Sequence, residues 1–271
     1  MESTSLQRDY QVFVSLPSSY SEQATYIFPV VFVTDATYAF PLIRSIARRV
    51  GDHGAGLEEF VLVGLSYAKG ETPEYSRRRD YTPTTSGDKD AVSDMPGRVP
   101  VYGEAEAYRR FILNEVFPLV ARNYRIDMHR KIYVGHSYGG LFGVYMLLTE
   151  PTMFERYVIS SPSLWFDNKA ILTHERDYAA THEDLPASVF LAVGAYETIN
   201  LASHDQRYNH TLDLVRDLQG FEIRLRSRHY PGLHVESTVL ADEDHLTVYP
   251  AAITRALKWA LPPIEAADTA Q

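Results

Sequence analysis

Short apolar runs alternate with stretches of helical periodicity along almost the whole chain. Residues 27–34 form one such run and residues 60–65 another. Runs of this kind suit strands buried on both faces, as in parallel sheets covered by helices. Residues 10–16, 131–134, 156–159, 189–193 and 222–226 complete the set of predicted strands. Between them, Tyr108, Phe111, Ile112, Phe117, Leu119 and Val120 fall toward one side of a helix. Leu141, Val144, Tyr145 and Leu148 repeat at three and four. Leu212, Val215 and Leu218 do the same, and Gly220 then reads as a C-cap. Ala252, Ile253, Ala256, Leu257 and Ala260 predict a last helix, stopped by Pro262 and Pro263. This alternation predicts an α/β fold with a mostly parallel central sheet and helices on both faces. One domain is expected over residues 1–263. Residues 68–100, rich in Gly, Pro, Ser, Thr and charge, read as a long loop, a feature that in compact domains is functional or disordered. Residues 264–271 read as a flexible tail.

Composition removes several kinds of chemistry. The 271 residues include no cysteine. That excludes disulfides, thiolate zinc sites, iron–sulfur clusters and a thiol nucleophile. The net charge of −9 argues against nonspecific nucleic-acid binding, which needs a basic surface. The first residues lack the basic and apolar regions of a signal peptide. No early apolar run approaches the ~20 residues needed to span a bilayer. The expectation is a soluble, cytoplasmic protein with neither nucleic acid nor membrane as partner.

The sharpest local signal is Gly135-His136-Ser137-Tyr138-Gly139-Gly140. This G-x-S-x-G lies between a predicted strand and a predicted helix, the context of a nucleophile elbow. Ser137 would then sit at a helix N-terminus, where the dipole favours developing negative charge. The Tyr138 N–H would donate to the oxyanion. A serine nucleophile needs a base and a group that orients the base. In this architecture the chain order is Ser, acid, His. Glu197 follows the strand at 189–193 and stands where the acid belongs, with Asp205 as its rival. His234 follows the Pro231-Gly232 turn after the predicted last strand and is the candidate base. His229 reads as a strand residue, His210 as helix surface and His136 as a supporting residue. No H-E-x-x-H, P-loop or dinucleotide-binding glycine pattern is present, so no metal or other cofactor is expected.

Several separated segments carry a family resemblance. Arg77-Arg78-Arg79-Asp80-Tyr81-Thr82-Pro83 is similar to an R-x-R-D-[YF]-T-P pattern. Tyr133 to Leu141 holds the elbow, and Ser161-Pro162-Ser163-Leu164-Trp165 is similar to S-P-S-[LF]-W. Together they resemble the putative-esterase family of α/β hydrolases, which includes enterochelin and salmochelin esterases. The resemblance implies an α/β-hydrolase fold and a serine carboxylesterase acting on small-molecule esters. It implies Ser137 as nucleophile, His234 as base and Glu197 as acid. It places a second oxyanion donor in the Asp35-Ala36 turn, at the Ala36 N–H, although the family often has Asp-Gly there. It also puts Arg77 and Arg79 near the mouth of the site, where guanidinium groups suit anionic oxygens. Trp165 would wall a substrate pocket. Feruloyl or acetyl carbohydrate esterase, acyltransferase, and a binding protein on a hydrolase scaffold are the alternatives.

Ser137→Ala is expected to lower kcat on a nitrophenyl ester by on the order of 10⁴–10⁶. Turnover measured on purified wild type and variant checks this, and retention of most activity would sink the assignment.

Overall fold

The computed structural model describes residues 1–87 and 92–264. Its strands are β1 (Glu2–Ser3), β2 (Arg8–Ser15), β3 (Phe28–Val33), β4 (Val61–Ala68), β5 (Ile126–His136), β6 (Arg156–Ser160), β7 (Ala187–Gly194) and β8 (Leu233–Leu240). Its helices are α1 (Ala36–Arg49), α2 (Pro73–Tyr81), α3 (Ala105–Phe111), α4 (Phe117–Asn123), α5 (Tyr138–Leu147), α6 (Phe166–Lys169), α7 (Ile171–Thr181), α8 (Leu214–Ser227) and α9 (Val248–Ala260). A π-helical turn, Ile112–Val116, joins α3 to α4. The strands make one sheet in the order β1-β2-β4-β3-β5-β6-β7-β8. β1 and β2 run antiparallel; from β4 across to β8 all neighbours are parallel. The α/β fold with helices on both faces is therefore as the sequence predicts.

The alternation within β3 explains the two layers. All six of its residues are buried. Phe28, Val30 and Phe32 face a cluster that includes Phe117, Phe142 and Phe154. Val31 and Val33 face the opposite cluster, with Ile43 of α1 and Ile253 and Leu257 of α9. Side chains alternate across a strand, so a strand buried on both faces must be apolar at every position. Pro29 cannot donate to the ladder, and the pairing with β5 slips between Phe28 and Val30 around it. Among the described residues, no helix is long and apolar enough to cross a membrane.

Two expectations need correction. Residues 222–226 are not a strand; they belong to α8. Phe221-Glu222-Ile223-Arg224-Leu225 alternates like a strand, but Leu214, Leu218, Phe221 and Leu225 are the residues that bury, at helical spacing. Ile223, by contrast, is exposed. Gly220 does not end the helix, which runs on through it to Ser227. The last strand is instead β8, a sheet edge whose residues are mostly exposed or half-buried. The second correction concerns residues 68–100, which are not one long loop. Thr72 Oγ1 accepts from the Tyr75 N–H, Pro73 takes the first turn, and α2 follows. Residues 88–91 of that stretch, and residues 265–271 of the expected tail, lie outside the described residues.

Because α8 continues through Gly220 and a Cβ there would meet nothing within 4 Å, Gly220→Ala is expected to stabilise the protein by about 0.5–1 kcal/mol. Urea unfolding midpoints check this. A loss of stability would restore Gly220 as a cap.

Candidate active site

The C-terminal ends of the parallel strands bring the site together. β5 ends at His136, and α5 begins two residues later at Tyr138. Ser137 makes the turn alone, at φ 58 and ψ −119. Such a conformation is costly for a residue with a side chain and holds the hydroxyl out from the turn. The flanking glycines permit it. A Cβ on Gly135 would lie 2.4 Å from the Gly139 carbonyl oxygen, and one on Gly139 would lie 2.5 Å from Thr34 Oγ1. The Ser137 N–H donates to the Ser160 carbonyl at 3.0 Å, which ties the elbow to the end of β6. Ser163 Oγ lies 3.4 Å from Ser137 Oγ.

The histidine at this serine is His245. Its Nε2 lies 3.1 Å from Ser137 Oγ, and its Nδ1 lies 2.6 Å from Glu197 Oε2. Facing a carboxylate, Nδ1 is the donor, which leaves Nε2 to accept from the serine hydroxyl. Glu197 is 2% exposed. Its other oxygen accepts from Ser161 Oγ at 2.5 Å and from the Gly194 N–H at 2.8 Å. A buried carboxylate needs such partners, and here they fix its orientation. Asp205, the rival acid, is paired with Arg207 at 2.9 Å instead.

His234, the sequence candidate for the base, is not at the site. It lies on β8 opposite Ser188, near the start of β7, whereas Leu240 lies opposite Gly194. Six residues of strand separate these positions, so His234 is about 20 Å down the sheet from the end that carries Glu197. A histidine does follow the last strand, in the loop after β8. With the strand misplaced at 222–226, the expected chain order pointed to the wrong loop. The loop that follows β8 is anchored on both sides of His245. Asp244 Oδ1 accepts from the N–H groups of Leu246 and Thr247, while Thr247 Oγ1 accepts from the Asp244 N–H. The Tyr196 N–H donates to the Glu243 carbonyl at 3.0 Å. The Asp244-x-x-Thr247 pattern before the apolar residues of α9 was the available sequence signal.

The remaining candidates divide. Asp35 sits in the left-handed region (φ 54) at the start of α1, and Ala36 is the first residue of that helix. The Asp35 carboxylate accepts from the Tyr67 hydroxyl at 2.7 Å and from Arg77 Nη2 at 3.2 Å. Burial pushes its pKa up, against the pull of Arg77 and Tyr67. The Arg77 guanidinium also lies 5.6 Å from the centre of the Tyr138 ring. Trp165 packs against that ring too, with centroids 6.0 Å apart. Arg77 and Trp165 are therefore beside the residue that follows Ser137. Arg79 is not. Two positions along a helix turn a side chain to nearly the opposite face. Arg79 is buried with Glu71 and Asp80, both within 2.8 Å, and its Nη2 reaches Tyr10. It holds α2 to the sheet rather than lining the site. Arg78 is turned elsewhere again, toward the Val92 carbonyl.

His136 lies on the other side of the elbow. Its ring is 4.7 Å from that of His245, and its Nδ1 is 3.2 Å from Ser160 Oγ. Burial pushes its pKa down to about 3, helped by the nearby His245 and Arg77. It is a neutral ring packed against the ring that would carry the proton.

The chain as a whole is similar to known proteins. The family described as "Putative esterase" matches residues 3–198. Ferri-bacillibactin esterase BesA of Bacillus subtilis is 33% identical over 270 residues, covering 97% of this chain and 88% of that protein. Siderophore triacetylfusarinine C esterase of Aspergillus fumigatus is 31% identical, covering 69% of this chain and 64% of that protein. Among solved structures, the BES protein of Bacillus cereus superposes with a TM-score of 0.77 at 26% identity, covering 96% of this chain and 94% of the other.

The neutral His136 generates a pH dependence. Its folded pKa lies below its ordinary value of 6.5, so the unfolded chain binds more protons between about 3 and 6.5. Stability is expected to fall as pH falls through that window, with His136 contributing a slope of up to about 1.4 kcal/mol per pH unit. Urea unfolding at several pH values should show a shallower slope in His136→Gln. An unchanged slope would mean that His136 titrates normally.

Proposed function

The chain belongs to the putative-esterase family and is a serine esterase; we propose that it hydrolyses its ester through an acyl-enzyme on Ser137, with His245 as the base and Glu197 as the acid that orients it. The observation that carries this reading is His245 standing between the two, 3.1 Å from one and 2.6 Å from the other.

Ser137 Oγ attacks the ester carbonyl carbon while His245 Nε2 takes its proton. Glu197 holds the ring and balances the charge that forms on it. The carbonyl oxygen becomes an oxyanion at the N-terminus of α5, where the Tyr138 N–H donates to it. The Ala36 N–H, at the start of α1, is the second donor. Fixed donors of this kind stabilise the tetrahedral state without reorganising during the reaction. The tetrahedral state collapses, the bond to the alcohol oxygen breaks, and His245 returns the proton to that oxygen. Water then attacks the acyl-serine. His245 takes a proton from the water and gives it to the leaving Ser137 Oγ, which releases the carboxylic acid.

For the substrate we propose siderophore-type esters. The reading is supported by likeness to BesA along almost the full length of both chains. It is also supported by Arg77 and Trp165 beside Tyr138, a cation and an aromatic wall suited to oxygen-rich, ring-bearing ligands. Turnover of ferric and iron-free trilactone siderophores, followed by chromatography of the products, tests this. No turnover of either would end that part of the proposal.

On a nitrophenyl ester, His245→Ala is expected to lower kcat by on the order of 10⁴–10⁶, similar to Ser137→Ala. His234→Ala should stay within about twofold of wild type, as expected for an exposed residue remote from the chemistry. Glu197→Gln should lose less than His245→Ala, since it keeps an acceptor for Nδ1. Steady-state kinetics on the three variants checks the order. A larger loss at His234 than at His245 would return the base to β8.

A further inference from the structure

The end of β6 carries three hydroxyls within four residues, on Ser160, Ser161 and Ser163. Each goes to a different part of the site. Ser160 Oγ lies 3.2 Å from His136 Nδ1, Ser161 Oγ donates to Glu197 Oε1 at 2.5 Å, and Ser163 Oγ lies 3.4 Å from Ser137 Oγ. All three serines are buried, Ser163 with 2% of its surface exposed. The mechanism proposed above leaves Ser163 without a part. Two backbone hydrogen bonds fasten this segment to the elbow. The Ser137 N–H donates to the Ser160 carbonyl at 3.0 Å, and the Ser163 N–H donates to the Ser137 carbonyl at 3.1 Å. Ser161 turns the chain between them at φ 42, a costly conformation for a residue with a side chain. α5 closes against the turn, where a Cβ on Gly140 would lie 2.9 Å from Pro162 Cα. The backbone of Ser163 is thus fixed beside Ser137. Its hydroxyl makes no other hydrogen bond among the described residues.

Proton counting gives the direction of that contact. The Glu197 carboxylate only accepts, so His245 Nδ1 donates to it and Nε2 carries no proton. The single Ser137 proton therefore points to Nε2, 3.1 Å away. Ser137 Oγ has no second proton to give, so Ser163 donates and Ser137 Oγ accepts. At 3.4 Å the bond is long, as catalytic hydrogen bonds often are before substrate binds.

What this donor meets changes during the reaction. In the free enzyme it meets a hydroxyl oxygen, a good acceptor. In the acyl-enzyme it meets an ester oxygen whose lone pair is shared with the carbonyl, a poor one. Once water has added, the bond between the acyl carbon and Ser137 Oγ breaks. Its electron pair passes to Oγ, and His245 delivers a proton there. A hydrogen bond to an oxygen that is gaining negative charge is stronger than one to a neutral oxygen. Only an interaction that strengthens between ground state and transition state speeds a step. Deacylation meets that condition. Acylation gains less, because the donor starts on a hydroxyl that already accepts well.

We propose that Ser163 is a further catalytic residue, whose hydroxyl donates to Ser137 Oγ and stabilises that oxygen as the leaving group of deacylation. Ser163 keeps its own proton throughout. The proposal rests on the esterase reading and adds a residue to it.

Stopped-flow and steady-state kinetics on 4-nitrophenyl acetate separate the two steps. There kcat/KM reports the steps up to nitrophenolate release, and a burst followed by slower turnover reports deacylation. Ser163→Ala is expected to lower kcat about tenfold while changing kcat/KM by less than about threefold, so that KM falls with kcat. A nitrophenolate burst equal to the enzyme concentration should precede the slowed turnover. Ser161→Ala serves as the contrast. It removes a partner of Glu197 and acts through His245, which works in both steps, so kcat and kcat/KM should fall together. Ser163→Ala behaving like Ser161→Ala overturns the proposal, as does a kcat within about twofold of wild type. Labelling by a fluorophosphonate, one equivalent per chain, checks that the elbow of Ser163→Ala is intact. A variant that unfolds or fails to label also overturns the proposal, since the hydroxyl then serves the fold. Failure of wild type to cleave the ester, or cleavage that survives Ser137→Ala, counts against the esterase reading itself.

Discussion

A single buried carboxylate ties the site together. Glu197 is held by the hydroxyl of Ser161 after β6 and the amide of Gly194 at the end of β7, and it in turn holds His245 after β8. Three strand ends therefore converge on one side chain, and Ser137 at the end of β5 is reached through the third. Burial strengthens each of these hydrogen bonds and makes each expensive to lose, because water cannot replace a missing partner. The distance between serine and histidine is set by the sheet and by this hub more than by either residue.

Much of the architecture was legible because apolar strands have no alternative use. The sequence of β3, Phe-Pro-Val-Val-Phe-Val, fits a strand buried on both faces and little else. The elbow was legible for a similar reason, since glycines at 135 and 139 answer steric demands that no other residue meets. His245 was harder to read. β8 is a sheet edge with polar residues at many positions, while Phe221 to Leu225 on α8 alternates like a strand. Local pattern favoured the wrong segment, and tertiary packing decided the matter. The family match ends at residue 198, so it contains Ser137 and Glu197 but stops before either histidine.

The arginines show a second limit of reading by sequence. Arg77, Arg78 and Arg79 look alike as a run, but the helix distributes them around its axis. Arg77 reaches Asp35 and Tyr138, Arg78 reaches an outer carbonyl, and Arg79 enters a buried ion-pair cluster. Their separate fates follow from a helix that starts at Pro73 behind its Thr72 cap, and that cap is short and easily passed over within a polar stretch.

The position of His245 after Ser137 and Glu197 in the sequence bears on how the site comes into being. A chain is synthesised from its N-terminus, and structure forms as segments become available. Ser137 and its elbow, and then Glu197 and its partners, leave the ribosome before the histidine does. On the proposed mechanism, acyl transfer needs the loop that carries His245, so it waits on the last of the three side chains to be made.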